Sequence, residues 1–184
     1  MRVLESDRLI IKPMEPQDLE YQLNLRWDKD ITEYLIHDPI SYKNQIDWYN
    51  DLKKTDLACS IFLKVNPEEG ILKIIGNVGL FNTNYRHQRA GIRARIDPEF
   101  QRKGIATEAM TMMMDYGFNT LNLNKITADS FCENEAIVKL VFKMGFKNEG
   151  ILEKHFFHNG KFRDAYQLGF LRENFNAIYN KSDK

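Results

Sequence analysis

One change of periodicity, between Gly91 and Leu121, does most to limit what this chain can fold into. Gly91-Ile92-Arg93-Ala94-Arg95-Ile96 alternates like a strand. From Thr107 to Leu121 the residues Ala109, Met112, Met113, Tyr116 and Phe118 recur at helical spacing. The tract between them, Pro98-Glu99-Phe100-Gln101-Arg102-Lys103-Gly104-Ile105-Ala106, holds one glycine and two cations. A strand feeding a helix through such a turn belongs to a fold that mixes sheet and helix. The run Met112–Met114 reads as core filling, because Met packs irregular gaps well.

The flanking segments extend the pattern. Arg8–Met14 reads as a strand and Glu15–Lys29 as a helix carrying Leu19, Leu23 and Trp27. Ser41 is placed as the N-cap of a helix over Tyr42–Lys54. Cys59–Val65 and Ile71–Phe81 are strands joined by Asn66-Pro67-Glu68-Glu69-Gly70. Lys125–Phe131 is a strand, and Asn134–Met144 is a helix stopped by Gly145. Asn159-Gly160, set between Phe156-Phe157 and Phe162–Leu171, is the clearest hairpin signal. The fold class is α+β (mixed α/β), with a central, mostly antiparallel twisted sheet flanked by helices.

Bulk properties set outer limits. The chain has 184 residues with no linker-like or repetitive tract, so one domain over 1–184 is expected. Lys+Arg and Asp+Glu are both 26, giving a formal net charge of zero. That argues against nucleic acid bound through bulk charge. No apolar run is long enough for a membrane span and the N-terminus has no signal-peptide pattern, so a cytoplasmic protein is expected. Cys59 and Cys132 form no disulfide framework, and no metal-ligand spacing is present. His87, His155 and His158 read as surface or packing residues, and Trp27 and Trp48 as core or pocket wall.

The turn has chemistry of its own. The first amides of a helix lack intrahelical partners and, with the helix dipole, make an anion site. Gly104 and Ala106 let a ligand approach the backbone, and Arg102 and Lys103 add positive charge. The tract suits a pyrophosphate, yet it is neither a Walker nor a dinucleotide-binding fingerprint.

Gln101-Arg102-Lys103-Gly104-Ile105-Ala106 resembles the Q/R-x-x-G-x-G/A tract of the GNAT superfamily of N-acetyltransferases. ESDRLIIKPMEPQDLE is similar to the opening of the subgroup holding ribosomal-protein N-terminal and spermidine acetyltransferases. NLNKITADSFCENEAIVKLVFKMGFKNEGIL and EGILEKHFFHNGKFRDAYQL resemble that subgroup's later blocks, in the same order. The resemblance implies acetyl-CoA as co-substrate, held in a splayed strand pair, and no metal. Ile96 would meet the pantetheine arm. Gln101, Arg102, Lys103, Gly104, Ile105, Ala106 and Thr107 would hold the pyrophosphate, and Asn134 would contact the cofactor as well. His37, Asp38 and Tyr42 would lie at the acceptor. The implied activity is acetyl transfer to a primary amine, on a protein N-terminus or a small molecule. RWDKDITEYL and ISYKNQIDWYNDL also resemble nucleotide-amino-sugar acetyltransferases, which gives an alternative acceptor. A homodimer is compatible, and neither nucleic acid nor membrane is an expected partner.

Two departures bear on mechanism. The subgroup's strand glutamate is replaced by Gly91, and the family's tyrosine acid by Val141. Ser130 and Cys132 are the candidates to stand in as catalytic groups. A catalytically silent acyl-CoA-binding module is therefore a further reading. Gly91, Arg93 and Arg95 share one strand face, by alternation. Arg93 and Arg95 then either pair with acids of the N-terminal helices or contact an anionic acceptor.

Overall fold

The computed structural model describes residues 1–34 and 40–179. Its strands are β1 (Leu4–Glu5), β2 (Leu9–Pro13), β3 (Leu57–Asn66), β4 (Ile71–Asn84), β5 (Arg89–Ile96), β6 (Lys125–Phe131), β7 (Lys147–His158) and β8 (Lys161–Leu171). The helices are α1 (Leu19–Trp27), α2 (Lys29–Thr32), α3 (Tyr42–Asn50), α4 (Ile105–Asp115), α5 (Glu135–Met144) and α6 (Arg172–Tyr179). The chain forms two compact units, Met1–Asn82 with Arg93–Met113, and Thr83–Ile92 with Met114–Lys184.

In the first unit the strands follow in the order β1-β2-β3-β4, and the second half of β5 continues the sheet. The β1/β2, β2/β3 and β3/β4 pairs are all antiparallel. Alternation along β2 buries Leu9 and Ile11 opposite Leu63 and Ile61. Ile75 is the extra residue where the β3/β4 register jumps from Ile61/Gly76 to Phe62/Ile74, and it is fully buried. Leu19 and Leu23, four apart on α1, are both 2% exposed and give that helix its buried stripe. The expected helix from Glu15 is divided: a 3-10 turn at Pro16–Asp18 precedes α1, and Asp28 caps the separate α2 through the amides of Asp30 and Ile31. Ser41 caps α3 as expected, accepting from the Asn44 amide at 3.2 Å. The helix ends at Asn50, four residues earlier than its sequence pattern suggests.

In the second unit, the start of β5 pairs in parallel with β6 over Arg89–Gly91 and Lys125–Thr127. β6 pairs antiparallel with β8 along its whole length, and β8 pairs with β7. The β7–β8 turn has both Asn159 (φ 49°) and Gly160 (φ 77°) left-handed, as a two-residue hairpin of type I′ requires. Gly145 ends α5 in the left-handed conformation. After Asp115 the helical pattern continues as a π segment, Tyr116–Thr120, not as regular α-helix to Leu121. It buries Phe118 against Phe170 and Phe175, at ring distances of 6.1 and 5.2 Å. Arg172 bonds to the Phe118 carbonyl and to Asn122 Oδ1, fastening the segment.

Candidate acetyl-CoA site and acceptor residues

The tract after β5 is shaped by its own side chains. Asp97 caps a 3-10 turn, Pro98–Phe100, by accepting from the Glu99 amide at 3.0 Å. Gln101 Nε2 then donates to the Ile96 carbonyl at 2.9 Å, so this side chain closes the loop. Arg102 (φ 59°) and Gly104 (φ 77°) are both left-handed. α4 starts directly after them, and its first intrahelical bond runs from Glu108 N to Gly104 O. The amides of Ile105, Ala106 and Thr107 meet no acceptor among the described residues. A side chain at Gly104 would point into open space, its Cβ meeting only Arg8 Nη2 at 3.8 Å. The backbone donors and the empty approach at Gly104 fit a pyrophosphate.

Lys103 is turned back on the protein. Its Nζ donates to the Glu99 carbonyl at 2.8 Å and lies 5.2 Å from the Phe100 ring. Sequence patterning does not find the brace beneath the turn. Arg8 Nε donates to Glu108 Oε2 at 2.9 Å, Arg8 Nη1 reaches the Lys103 carbonyl at 3.2 Å, and Ser6 Oγ donates to Glu108 Oε1 at 2.6 Å. Ser6, Arg8 and Glu108 hold the first turn of α4 from β2's side, and no local signal links residues so far apart in sequence.

In the second unit Asn134 is the N-cap of α5, its Oδ1 accepting from Ile137 N at 3.3 Å. Ser130 is buried, and its hydroxyl donates to the Phe131 carbonyl at 3.3 Å. Burial, then Asp164 and Glu133, push the Cys132 thiol upward, so it stays protonated at neutral pH. Burial pushes Cys59 to about 12. Neither cysteine is set up as a nucleophile. Val141 is 2% exposed and belongs to the core of the unit. The expected acid is thus replaced by a packing residue. Among the described residues no group of three or more His, Cys, Asp or Glu could hold a metal, and no helix is long and apolar enough to cross a membrane.

The acceptor-side expectations have mixed outcomes. His37 and Asp38 lie outside the described residues. Tyr42 opens α3 and is exposed. Trp27, expected in a core or pocket wall, is exposed, with its indole N–H donating to the Ile40 carbonyl at 3.1 Å. Ala94 is exposed as well, although Ile92 and Ile96 on its face are buried. Arg93 and Arg95 make no ion pair among the described residues, so the acids of the N-terminal helices do not neutralise them. Arg26, near the end of α1, lies close enough to both arginines for its charge to act on them.

The first unit joins antiparallel strands to a strand–cradle–helix tract, and the second holds one short parallel pairing. The family model for the acetyltransferase (GNAT) domain matches residues 8–147, and the chain belongs to that family and is an N-acetyltransferase. The chain is 32% identical over 159 residues to spermidine N(1)-acetyltransferase of Escherichia coli (strain K12), covering 86% of this chain and 83% of that protein. It is 31% identical over 164 residues to an uncharacterized N-acetyltransferase of Bacillus subtilis (strain 168), covering 86% and 90%. The solved spermidine N-acetyltransferase of Vibrio cholerae, in complex with CoA and spermine, superposes with a TM-score of 0.84 at 29% identity, covering 92% of this chain and 99% of that one. Family membership as an enzyme replaces the reading of a silent acyl-CoA-binding module.

Proposed function

We propose that this chain, as a single acetyltransferase domain, moves the acetyl group of acetyl-CoA to the primary amine of a small molecule. The observation that carries the reading is the cradle. Three unpaired amides lead α4, two left-handed residues shape the turn before it, and open space lies at Gly104. The amides of Ile105–Thr107 would hold the pyrophosphate, helped by the charge of Arg102. A small-molecule acceptor is favoured over a protein N-terminus because two of these relatives, those of Escherichia coli and Vibrio cholerae, are spermidine acetyltransferases.

Acetyl-CoA supplies an acyl group already activated as a thioester. The chain supplies position. Fixing an amine against the acyl carbon can lower a barrier by about 7–11 kcal/mol, which leaves room for turnover without a tyrosine at Val141. An amine with an ordinary pKa near 10 must first shed a proton, through water to a carboxylate or backbone carbonyl. The protonated thiol of Cys132 and the self-engaged hydroxyl of Ser130 support direct transfer over an acyl-enzyme.

The test is CoA release at fixed acetyl-CoA, measured with spermidine, simple alkylamines, amino acids, amino sugar nucleotides and peptides with free N-termini, beside a calorimetric titration of CoA. Turnover of small amines with measurable CoA binding is expected. Turnover of the peptides alone would overturn the acceptor reading, and absent CoA binding would overturn the cradle.

A further inference from the structure

Three guanidinium groups gather in the first unit, and none of them has an ion pair among the described residues. Arg93 and Arg95 are two apart on β5 and so leave the same face of the strand. Arg26 follows Gln22 by one turn on α1. Gln22 fixes that helix face to the sheet, its Nε2 donating to the Gly76 carbonyl at 3.0 Å and its Oε1 accepting from Asn77. Gly76 in turn lies flush against the backbone of Arg95. The helix face carrying Arg26 is therefore fastened beside the strand carrying the other two.

Aromatic faces hold two of the three cations in place. The Arg26 guanidinium lies 5.5 Å from the Trp48 ring, and that of Arg93 lies 5.3 Å from the Phe81 ring. Stacking of this kind fixes the plane of a guanidinium and leaves its N–H fork available. The Nε of Arg26 is buried and has no hydrogen-bond partner among the described residues. A buried donor without a partner carries a desolvation cost that a ligand can relieve. Burial, followed by the charges of Arg26 and Arg93, brings Arg95 down to about 10. Burial and then Arg93 lower Arg26 too.

Two acids that flank these elements, Asp18 before α1 and Asp97 after β5, are engaged elsewhere. Asp18 accepts from the Ser60 hydroxyl at 2.8 Å and from the Glu15 amide at 3.0 Å. Asp97 accepts from the Tyr21 hydroxyl at 2.7 Å and from the Glu99 amide. None of the three arginines has an ion pair among the described residues.

We infer that Arg26, Arg93 and Arg95 form an anion-recognition site for the acceptor, so that the amine acetylated here carries a carboxylate or a phosphate. The inference rests on the reading of this enzyme as a small-amine N-acetyltransferase. β5 ends at Ile96, one residue after Arg95, and the turn that opens the proposed acetyl-CoA cradle follows, so an anion on these forks sits on the strand that leads to the coenzyme. Its relatives named for spermidine act on a polycation. Three cations with no ion pair among the described residues would repel such a molecule and attract an anionic one bidentately.

A matched series tests this on the wild-type enzyme: propylamine, 3-aminopropanoate, 3-aminopropyl phosphate and spermidine, at saturating acetyl-CoA. The expected result is a kcat/KM at least about tenfold higher for one of the two anionic amines than for propylamine or spermidine. Whichever of the two prevails separates carboxylate from phosphate recognition. Arg93→Gln, an exposed position, should raise the KM of the preferred amine about tenfold. It should leave kcat and the CoA affinity unchanged. Arg95→Gln should do the same, with the matched series serving as control for its folding. Equal or better turnover of propylamine or spermidine overturns the inference and leaves the small-amine reading standing. A fall in CoA affinity in Arg93→Gln also overturns it, because the arginines would then serve the coenzyme. No turnover of any amine sinks the small-amine reading and this inference with it.

Discussion

Gly76 and Arg95 touch backbone to backbone. A Cβ built on Gly76 would fall under 3.0 Å from the Arg95 carbonyl oxygen and 3.1 Å from the Ile96 Cα. Both neighbours are main chain, so neither can swing aside. Gly76→Ala must therefore push β4 away from the end of β5. It should cost about 1–3 kcal/mol, as overpacking does, and lower Tm by several degrees. Because Gln22 bonds to the Gly76 carbonyl, α1 should loosen with it. An unchanged Tm in thermal unfolding of Gly76→Ala would refute this account of the contact.

Gly104→Val tests the cradle. The position has φ 77°, which a β-branched residue adopts only under strain, and its open side is the proposed pyrophosphate approach. Calorimetry should show CoA binding weakened by roughly tenfold or more, equivalent to about 1.4 kcal/mol. Wild-type affinity in a folded Gly104→Val protein would place the pyrophosphate elsewhere.

Val141→Tyr asks whether the family's acid can be restored. Val141 is 2% exposed, and a phenol does not fit where a valine is already packed. The variant should lose about 1–3 kcal/mol of stability and gain no rate. A faster kcat with an unchanged Tm would show that this position faces the thioester after all.

Cys132→Ala and Ser130→Ala separate direct transfer from an acyl-enzyme. With the thiol held protonated and the hydroxyl bonded to the Phe131 carbonyl, both variants should keep kcat within a few-fold of wild type. Initial-rate patterns should intersect, as for a ternary complex. Parallel lines, or a kcat loss of about a thousandfold in either variant, would restore a nucleophile.

Much of this was legible in residue order because the signals are local. Asn159-Gly160 specifies its own turn, Asn134 and Gly145 mark the two ends of α5, and Gln101 to Ala106 carries the cradle chemistry within six positions. α6 is absent from the sequence reading, although Phe175 and Tyr179 are four apart; they stack at 4.9 Å in the structure. Other features depend on partners far away in the chain. Arg8 gains its role only from Glu108, and Arg26 only from β5. Valine at 141 shows that a hydroxyl is missing, but only the packing of α5 shows that the side chain is in the core. The π segment at Tyr116 has the same apolar spacing as a helix, and its widening follows from where Phe118 packs.

The left-handed pair at Asn159 and Gly160 has a consequence for the order in which structure accumulates. It joins strands of 12 and 11 residues by the shortest loop a hairpin can have. The entropy of closing a loop rises with its length. Phe157 and Phe162, whose rings lie 5.1 Å apart across the ladder, therefore meet at little cost. β6 has no such advantage. Its partner β8 is separated from it in sequence by all of α5 and β7. The hairpin is a local scaffold that can zip from its tip on the microsecond scale, roughly 1–10 μs, and its far strand is then already in place when β6 arrives.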